Sequence, residues 1–305
     1  MTIIAEMLAQ APSHAPAIDP PLPVAHQRSE GEAEIAFGLR QGRSTLAHLY
    51  QRAPCRVLFP APAVDDLAEA VLVTTSGGIA GGDRLRIAVS VETGAAALVT
   101  SQAAEKIYRS LGPEARCAVS LQVGDGAWLE WLPQETILFQ AARFSRSIEA
   151  KLAPTGRLLA SEIVVFGRLA RGERFSSGRL QDRWRLHRDG RLVWADAVCL
   201  DGCPGGCPGG EGTTALDEPL AFGGARAMAT VVYAGPDAAE HLALARSLTG
   251  EARCRAGSTL VNGTLLARFL AEDPGRLRAD LAVYVAELRH AAAGLPARPP
   301  RLWQF

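Results

Sequence analysis

The chain has 305 residues, 48% hydrophobic and 21% charged, and its 32 basic and 32 acidic side chains cancel to a net charge of zero. Such a length holds one large domain or two ordinary ones and buries roughly 75% of its unfolded surface, so neither disulfides nor a metal is needed for folding. The balanced charge excludes the electrostatic footprint of a nucleic-acid or anionic-membrane binder, and no run of about 18 uncharged apolar residues is present to span a bilayer.

Residues 1–30 are rich in Ala and Pro (Pro12, Pro16, Pro20, Pro21, Pro23) and lack periodicity, which predicts a flexible tail. The opening Met1-Thr-Ile-Ile-Ala-Glu6 has no basic region before its short apolar run, so the reading is cytoplasmic, with most of the cysteines as free thiols. From there to about residue 200 the pattern is strand, turn, strand. Ala70–Val73 is an apolar strand, followed by the glycine-rich Thr74-Thr-Ser-Gly-Gly-Ile-Ala-Gly-Gly-Asp83. A phosphate-binding loop would require a helix directly after the glycines. Arg84–Val91 instead places Leu85, Ile87, Val89 and Val91 on one face at period two, the pattern of a half-buried strand. The glycines therefore join two strands.

An approximate internal repeat lays Ala88–Val99 over Ala118–Leu129, with looser copies at Ser147–Leu159 and Trp184–Val193. A spacing of about 30 residues suits a stacked β architecture; unrelated hairpins in a large antiparallel fold would share the texture. Past residue 220, Arg226–Tyr233 reads as a strand and Pro236–Leu248 as a helix stopped by Gly250, with Leu242, Ala245 and Leu248 as its stripe. Ser258–Phe269 reads as a hairpin around Asn262-Gly263. Asp273-Pro274 opens a last helix to about Ala292, with Leu277, Leu281, Tyr284, Val285 and Leu288 at helical spacing. The expectation is a mainly β protein with a stacked strand–turn–strand body, β-helix-like or sandwich-like, and a small C-terminal α/β element carrying two helices. Residues 31–305 form a single domain, with an insertion loop at 201–215 and a β-α-β-β-α part at 221–292.

Ser76 is a conceivable nucleophile, but the Gly-x-Ser-x-Gly elbow is absent and a strand follows where a helix is required. Asp83 either bonds turn N–H groups or offers oxygen to a passing cation. The six histidines show no close ligand spacing. Gln102-Ala-Ala-Glu-Lys-Ile-Tyr-Arg109 forms either a helical turn, with Glu105 and Arg109 four apart, or an irregular link between strands. Cys203 and Cys207 supply half of a tetrahedral site, readable as a transient metal site or as a plain Gly/Pro insertion. Cys55, Cys117 and Cys254 read as small core residues.

Thr74–Asp83 and Thr100-Ser-Gln-Ala-Ala-Glu-Lys-Ile-Tyr-Arg-Ser110 together resemble the two best motifs of the urease accessory protein D family (UreD, also called UreH). Leu49–Phe59, Trp131-Leu-Pro-Gln-Glu-Thr-Ile137, Arg183-Trp-Arg-Leu and Pro300-Arg-Leu-Trp303 also fit, and the similarity runs from about Ile35 to the C-terminus, broken by the Cys203/Cys207 insertion. The resemblance implies a non-catalytic maturation factor that docks on the urease structural subunits, recruits accessory proteins F and G (a GTPase), and helps conduct nickel to the urease site. It implies Ni²⁺ as transient cargo, no tightly bound cofactor, and room for a homodimer within the complex. The assembly or conduit candidates it points to are Thr75, Ser76, Gly77, Gly78, Gly81, Gly82, Asp83, Gln102, Glu105, Lys106, Tyr108 and Arg109. Two other classes stay open: a hydrolase or transferase using Ser76 or Asp83, and a β-repeat interaction module unrelated to urease.

Overall fold

The computed structural model describes residues 28–201 and 215–303. The tail up to residue 27 and the Cys203/Cys207 loop lie outside the described residues. The chain opens with β1 (Glu30–Arg40) and β2 (Arg43–Arg52), an antiparallel hairpin, then crosses to a second sheet for β3 (Cys55–Leu58) and β4 (Ala68–Thr74). From β4 onward it winds between the two sheets. β5 (Arg84–Val91) lies in the first and β6 (Ala96–Ser101) in the second, with the short β7 (Glu105–Ile107) after it. The next coil is β8 (Ala115–Val123), β9 (Trp128–Leu132) and the short β10 (Thr136–Leu138); the third is β11 (Arg143–Leu152) and β12 (Arg157–Phe166).

Each coil stacks on its predecessor in parallel register. Ala88 lies against Ser120, Ser120 against Glu149, and in the second sheet Leu98 lies against Glu130 and Leu129 against Leu158. The stacked reading of the repeat therefore describes the body. Its fourth copy differs: β13 (Arg179–Arg188) and β14 (Arg191–Asp201) pair antiparallel within the first sheet. Asp189 and Gly190 both take positive φ (50° and 71°), the two-residue turn that an Asp-Gly pair favours, so the chain folds back instead of crossing over.

The second sheet is extended by β15 (Ala227–Ala234), then α1 (Leu242–Glu251), the hairpin β16 (Arg255–Val261) and β17 (Thr264–Ala271), and α2 (Pro274–Ala293). The orders are β14-β13-β11-β8-β5-β1-β2 and β16-β17-β15-β12-β9-β6-β4-β3, with β10 bridging β12 and β7. One core lies between the sheets, where Val89, Leu121, Ile148, Leu158 and Phe166 meet. A second lies between the outer face of the second sheet and α2, built on Leu159, Phe269, Leu277, Leu281 and Tyr284. Covered on both faces, β12 is buried from Leu158 to Phe166, which is why its sequence is an apolar run without alternation.

The α2 prediction holds in detail: Asp273 caps it by accepting from the Gly275 N–H at 2.8 Å, and Gly294 closes it in the left-handed region. α1 starts later than its sequence suggests. The Asp237 carboxylate accepts the Tyr233 hydroxyl at 2.6 Å and lies 3.4 Å from Arg157 and from His241, so it is not free to cap. The helix begins at Leu242 and runs through Gly250 to Glu251. No helix among the described residues is long and apolar enough to cross a membrane.

Candidate functional site

The glycine-rich segment is the crossing from β4 to β5, from one sheet to the other, and it is held against the second motif. Ile79 N–H donates to the Lys106 carbonyl at 2.7 Å and Tyr108 N–H donates to the Ile79 carbonyl at 2.9 Å. The Tyr108 hydroxyl donates to the Gly77 carbonyl at 2.9 Å. This close approach explains the glycines. A Cβ on Gly78, whose φ is +145°, would sit 2.6 Å from the Tyr108 ring and 2.9 Å from the Lys106 carbonyl; one on Gly81 would strike Ser110 and the Pro113 carbonyl.

Asp83 is the knot of the turn. Its carboxylate accepts the Ser29 and Ala80 N–H groups, each at 2.8 Å, and the residue is buried. Of its two readings, the turn-organising one matches the geometry. The Ser76 hydroxyl donates to the Gly78 carbonyl at 2.8 Å, and among the described residues no His or carboxylate bonds to it. Thr75 is tied to the Pro54 carbonyl through both its N–H (2.9 Å) and its hydroxyl (3.1 Å).

The second motif is not a helical turn. Glu105, Lys106 and Ile107 form β7, paired in parallel with β10, because the backbone of Thr136–Leu138 offers ladder partners on one side and Ile79 on the other. Glu105 therefore does not reach Arg109. It accepts the Thr74 hydroxyl at 2.5 Å, while Arg109 makes a backbone bridge to Ala142. Burial raises the Glu105 carboxyl above its ordinary range, against the opposing pull of Thr74 and Lys106. Gln102, Lys106, Tyr108 and Arg109 all have exposed side chains.

Two of the remaining segments singled out in the sequence, Trp131–Ile137 and Pro300–Trp303, meet here, while Arg183-Trp-Arg-Leu lies on β13 in the first sheet. Gln134 donates to the Gln102 carbonyl at 3.2 Å and to the Leu302 carbonyl at 2.8 Å, and the Trp303 indole donates to the Leu132 carbonyl at 3.2 Å. Beneath this patch lies a cavity of about 250 Å³ between the sheets. It runs from Gly77, Gly78, Gln102 and Glu105 past Cys55 and Cys117 to Trp131, Arg146 and Glu162. The deep end is ionic. Arg146 is fully buried, grips Asp182 through two bonds of 3.0 and 2.6 Å, and bonds to Glu162; Glu162 in turn accepts the Trp131 indole at 2.8 Å.

Two carboxylates face one guanidinium. Burial pushes Glu162 up to about 7, with Asp182 adding repulsion and Arg146 opposing both. Burial alone would lower Arg146, but Asp182 and Glu162 outweigh it and keep the guanidinium charged. The two cavity thiols are also pushed up by burial, Cys55 to about 11 and Cys117 to about 12. Both belong to the inter-sheet core, as small core residues, and also line the cavity. Protonated thiols are poor ligands for a divalent ion. No group of three or more His, Cys, Asp or Glu among the described residues could hold a metal ion. Arg146, Glu162 and Asp182 escaped the motif search. Their signal was charge at inward-facing strand positions, most visibly the lone Glu162 within Leu158–Phe166. Cys203 and Cys207 lie outside the described residues.

A family model described as UreD urease accessory protein matches residues 29–304. The urease accessory protein UreD of Magnetococcus marinus is 40% identical over 284 residues, covering 92% of this chain and 95% of that protein. Those of Methylobacterium sp. (strain 4-46) and Azorhizobium caulinodans are each 42% identical, covering 91% of this chain and 95% and 97% of theirs.

Proposed function

The chain belongs to the family of UreD urease accessory proteins, and on that premise we propose that it is a non-catalytic factor in urease maturation. It docks on apo-urease, recruits accessory proteins F and G in the cytoplasm, and conducts Ni²⁺ toward the urease active site. The observation that carries this reading is the cavity under the glycine-rich crossing. Its wall offers two carboxylates in succession, Glu105 near the motif surface and Glu162 at depth, where Arg146 ties Glu162 to Asp182 behind the wall.

The chemistry suits passage better than storage. A conduit needs favourable but weak contacts in series, because a closed high-affinity site would hold its ion. Oxygen ligands spaced along a wall provide that, and protonated thiols do not compete for the ion. A guided transfer also protects nickel from displacement by metals higher in the affinity order. Glu105 and Glu162 both hold protons more firmly than ordinary carboxyls, so an entering cation exchanges for a proton at each. The hydrolase alternative draws no support from Ser76 or Asp83, whose polar atoms serve the turn.

The test is the nickel content and activity of urease co-expressed with accessory proteins F and G, with and without this chain. Urease is expected to stay largely nickel-free without it. Glu105→Gln and Glu162→Gln are expected to co-purify with the complex yet deliver less nickel. Unchanged nickel loading in the absence of this chain sinks the maturation reading. Full delivery by both variants sinks the conduit while leaving docking intact.

A further inference from the structure

The deep end of the cavity is closed by one guanidinium in a cage of oxygens. Arg146 on β11 donates from Nε to Asp182 Oδ1 at 3.0 Å and from Nη2 to Asp182 Oδ2 at 2.6 Å. Its Nη1 donates to Thr136 Oγ1 at 3.2 Å and bonds Glu162 Oε2 as well. Four oxygens from β10, β12 and β13 thus converge on a single cation, and the set draws on both sheets. The other Glu162 oxygen accepts the Trp131 indole at 2.8 Å, which holds that carboxylate in place. All four side chains of the cage are buried. Thr136, Arg146 and Glu162 line the cavity that opens at Gly77 and Gln102, so the cage is reached from that mouth.

Stability alone does not account for such a group. A buried guanidinium between two carboxylates adds little net stability, because apolar side chains of similar volume fill the same space without stripping charges of water. The cage has another property. Without the guanidinium it is a pocket of hard oxygen donors carrying up to two negative charges, the donor type and charge that a divalent cation takes. Two carboxylates and a hydroxyl suffice when water in the cavity completes the coordination shell.

We propose that Arg146 is a resident counter-cation, whose guanidinium occupies an oxygen cage that would otherwise capture a divalent ion. The purpose of this device rests on the conduit reading of the cavity; the cage itself rests on the geometry alone. A cation tethered to β11 cannot diffuse away, so it competes with an entering ion at every encounter. The ion then meets Glu105 and the shared oxygen of Glu162, and not all four oxygens together. Contacts stay weak enough for release, which passage requires. Arginine suits the task better than lysine. Its planar fork grips Asp182 through two bonds while its third nitrogen spans Thr136 and Glu162, and it keeps its charge when buried, where an ammonium readily loses a proton.

The test is equilibrium dialysis of the full chain against Ni²⁺ alone, for the parent and for R146M, R146K and R146M/E162Q, with far-ultraviolet circular dichroism to check folding. R146M is expected to bind one more Ni²⁺ per chain than the parent, or to bind it at least tenfold more tightly. R146K, whose shorter ammonium leaves part of the cage empty, is expected to gain less. R146M/E162Q, with half of the acid charge removed, is expected to fall back to the parent's affinity. Folded R146M and R146K that bind no better than the parent overturn the proposal and leave Arg146 as a structural tie. A gain that survives in R146M/E162Q also overturns it, because the ion then sits elsewhere. Should R146M fail to fold, R146K decides the matter by the same criterion. No urease or accessory protein enters this measurement, so its failure leaves the conduit reading standing. Failure of nickel delivery by the parent in co-expression would remove the conduit and leave the cage.

Discussion

Glu162 is one carboxyl in a strand otherwise sealed from water, and its environment makes it a pH-dependent element of stability. Burial lifts it from an ordinary 4.5 to about 7, so between those values the folded chain keeps a proton that the unfolded chain releases. Stability from this group is complete below about pH 4.5 and is lost as pH rises toward about 7. Urea denaturation of the parent and of Glu162→Gln over that window is expected to show a gap that grows with pH and levels off above it. Parallel curves would refute the assignment. Gly78 is the other residue whose identity is dictated locally. Gly78→Ala is expected to cost about 1–3 kcal/mol in the same assay, because φ near +145° is closed to side chains and the Tyr108 contact leaves no space.

α2 shows how an element is fixed to a β body. Its apolar stripe lies on the second sheet, and its single buried cation, Arg289, reaches Glu130 on β9 at 2.9 Å and Asp66 at 2.6 Å. Glu130 is wholly buried and also accepts the Trp128 indole at 3.1 Å. Removing the guanidinium strands a buried carboxylate, so Arg289→Met is expected to cost about 3–5 kcal/mol in urea denaturation. Adding Glu130→Gln to that variant is expected to return part of the loss. A cost under about 1 kcal/mol would mean that the pair is neutralised by other means. The cap is a smaller matter: Asp273→Ala is expected to cost about 1 kcal/mol, read as a lowered melting temperature.

Across the whole molecule, coil stacks on coil, and the inter-sheet core extends from Ala33 on β1 to Ala234 on β15. No coil buries its apolar face alone, so nearest-neighbour stacking carries the stability of the body. Trp184 and Trp194 lie in the first sheet, Trp128 and Trp131 in the second. Tryptophan fluorescence and far-ultraviolet circular dichroism are therefore expected to report one coincident unfolding transition. Two separated transitions would show that the β15–α2 portion unfolds as its own unit.

The sequence by itself determined the strands of the coils, the Asn262-Gly263 hairpin, α2 with its cap, and the role of the glycines as a strand-to-strand crossing. Those follow from period, turn chemistry and capping, interactions spanning a few residues. It placed Thr74–Asp83 and Thr100–Ser110 as the residues to watch, and the two are locked together in space. Only the tertiary structure decided that Glu105–Ile107 is a strand, since its ladder partners lie about 30 residues away on β10. Only it decided that Asp237 leaves the start of α1 to bond Tyr233, and that β13 turns back on β14. The buried group of Arg146, Glu162 and Asp182 likewise comes from three separate strands. Each of those residues looks ordinary within its own window; the cost of burying charge, offset only when the partners meet, brings them together.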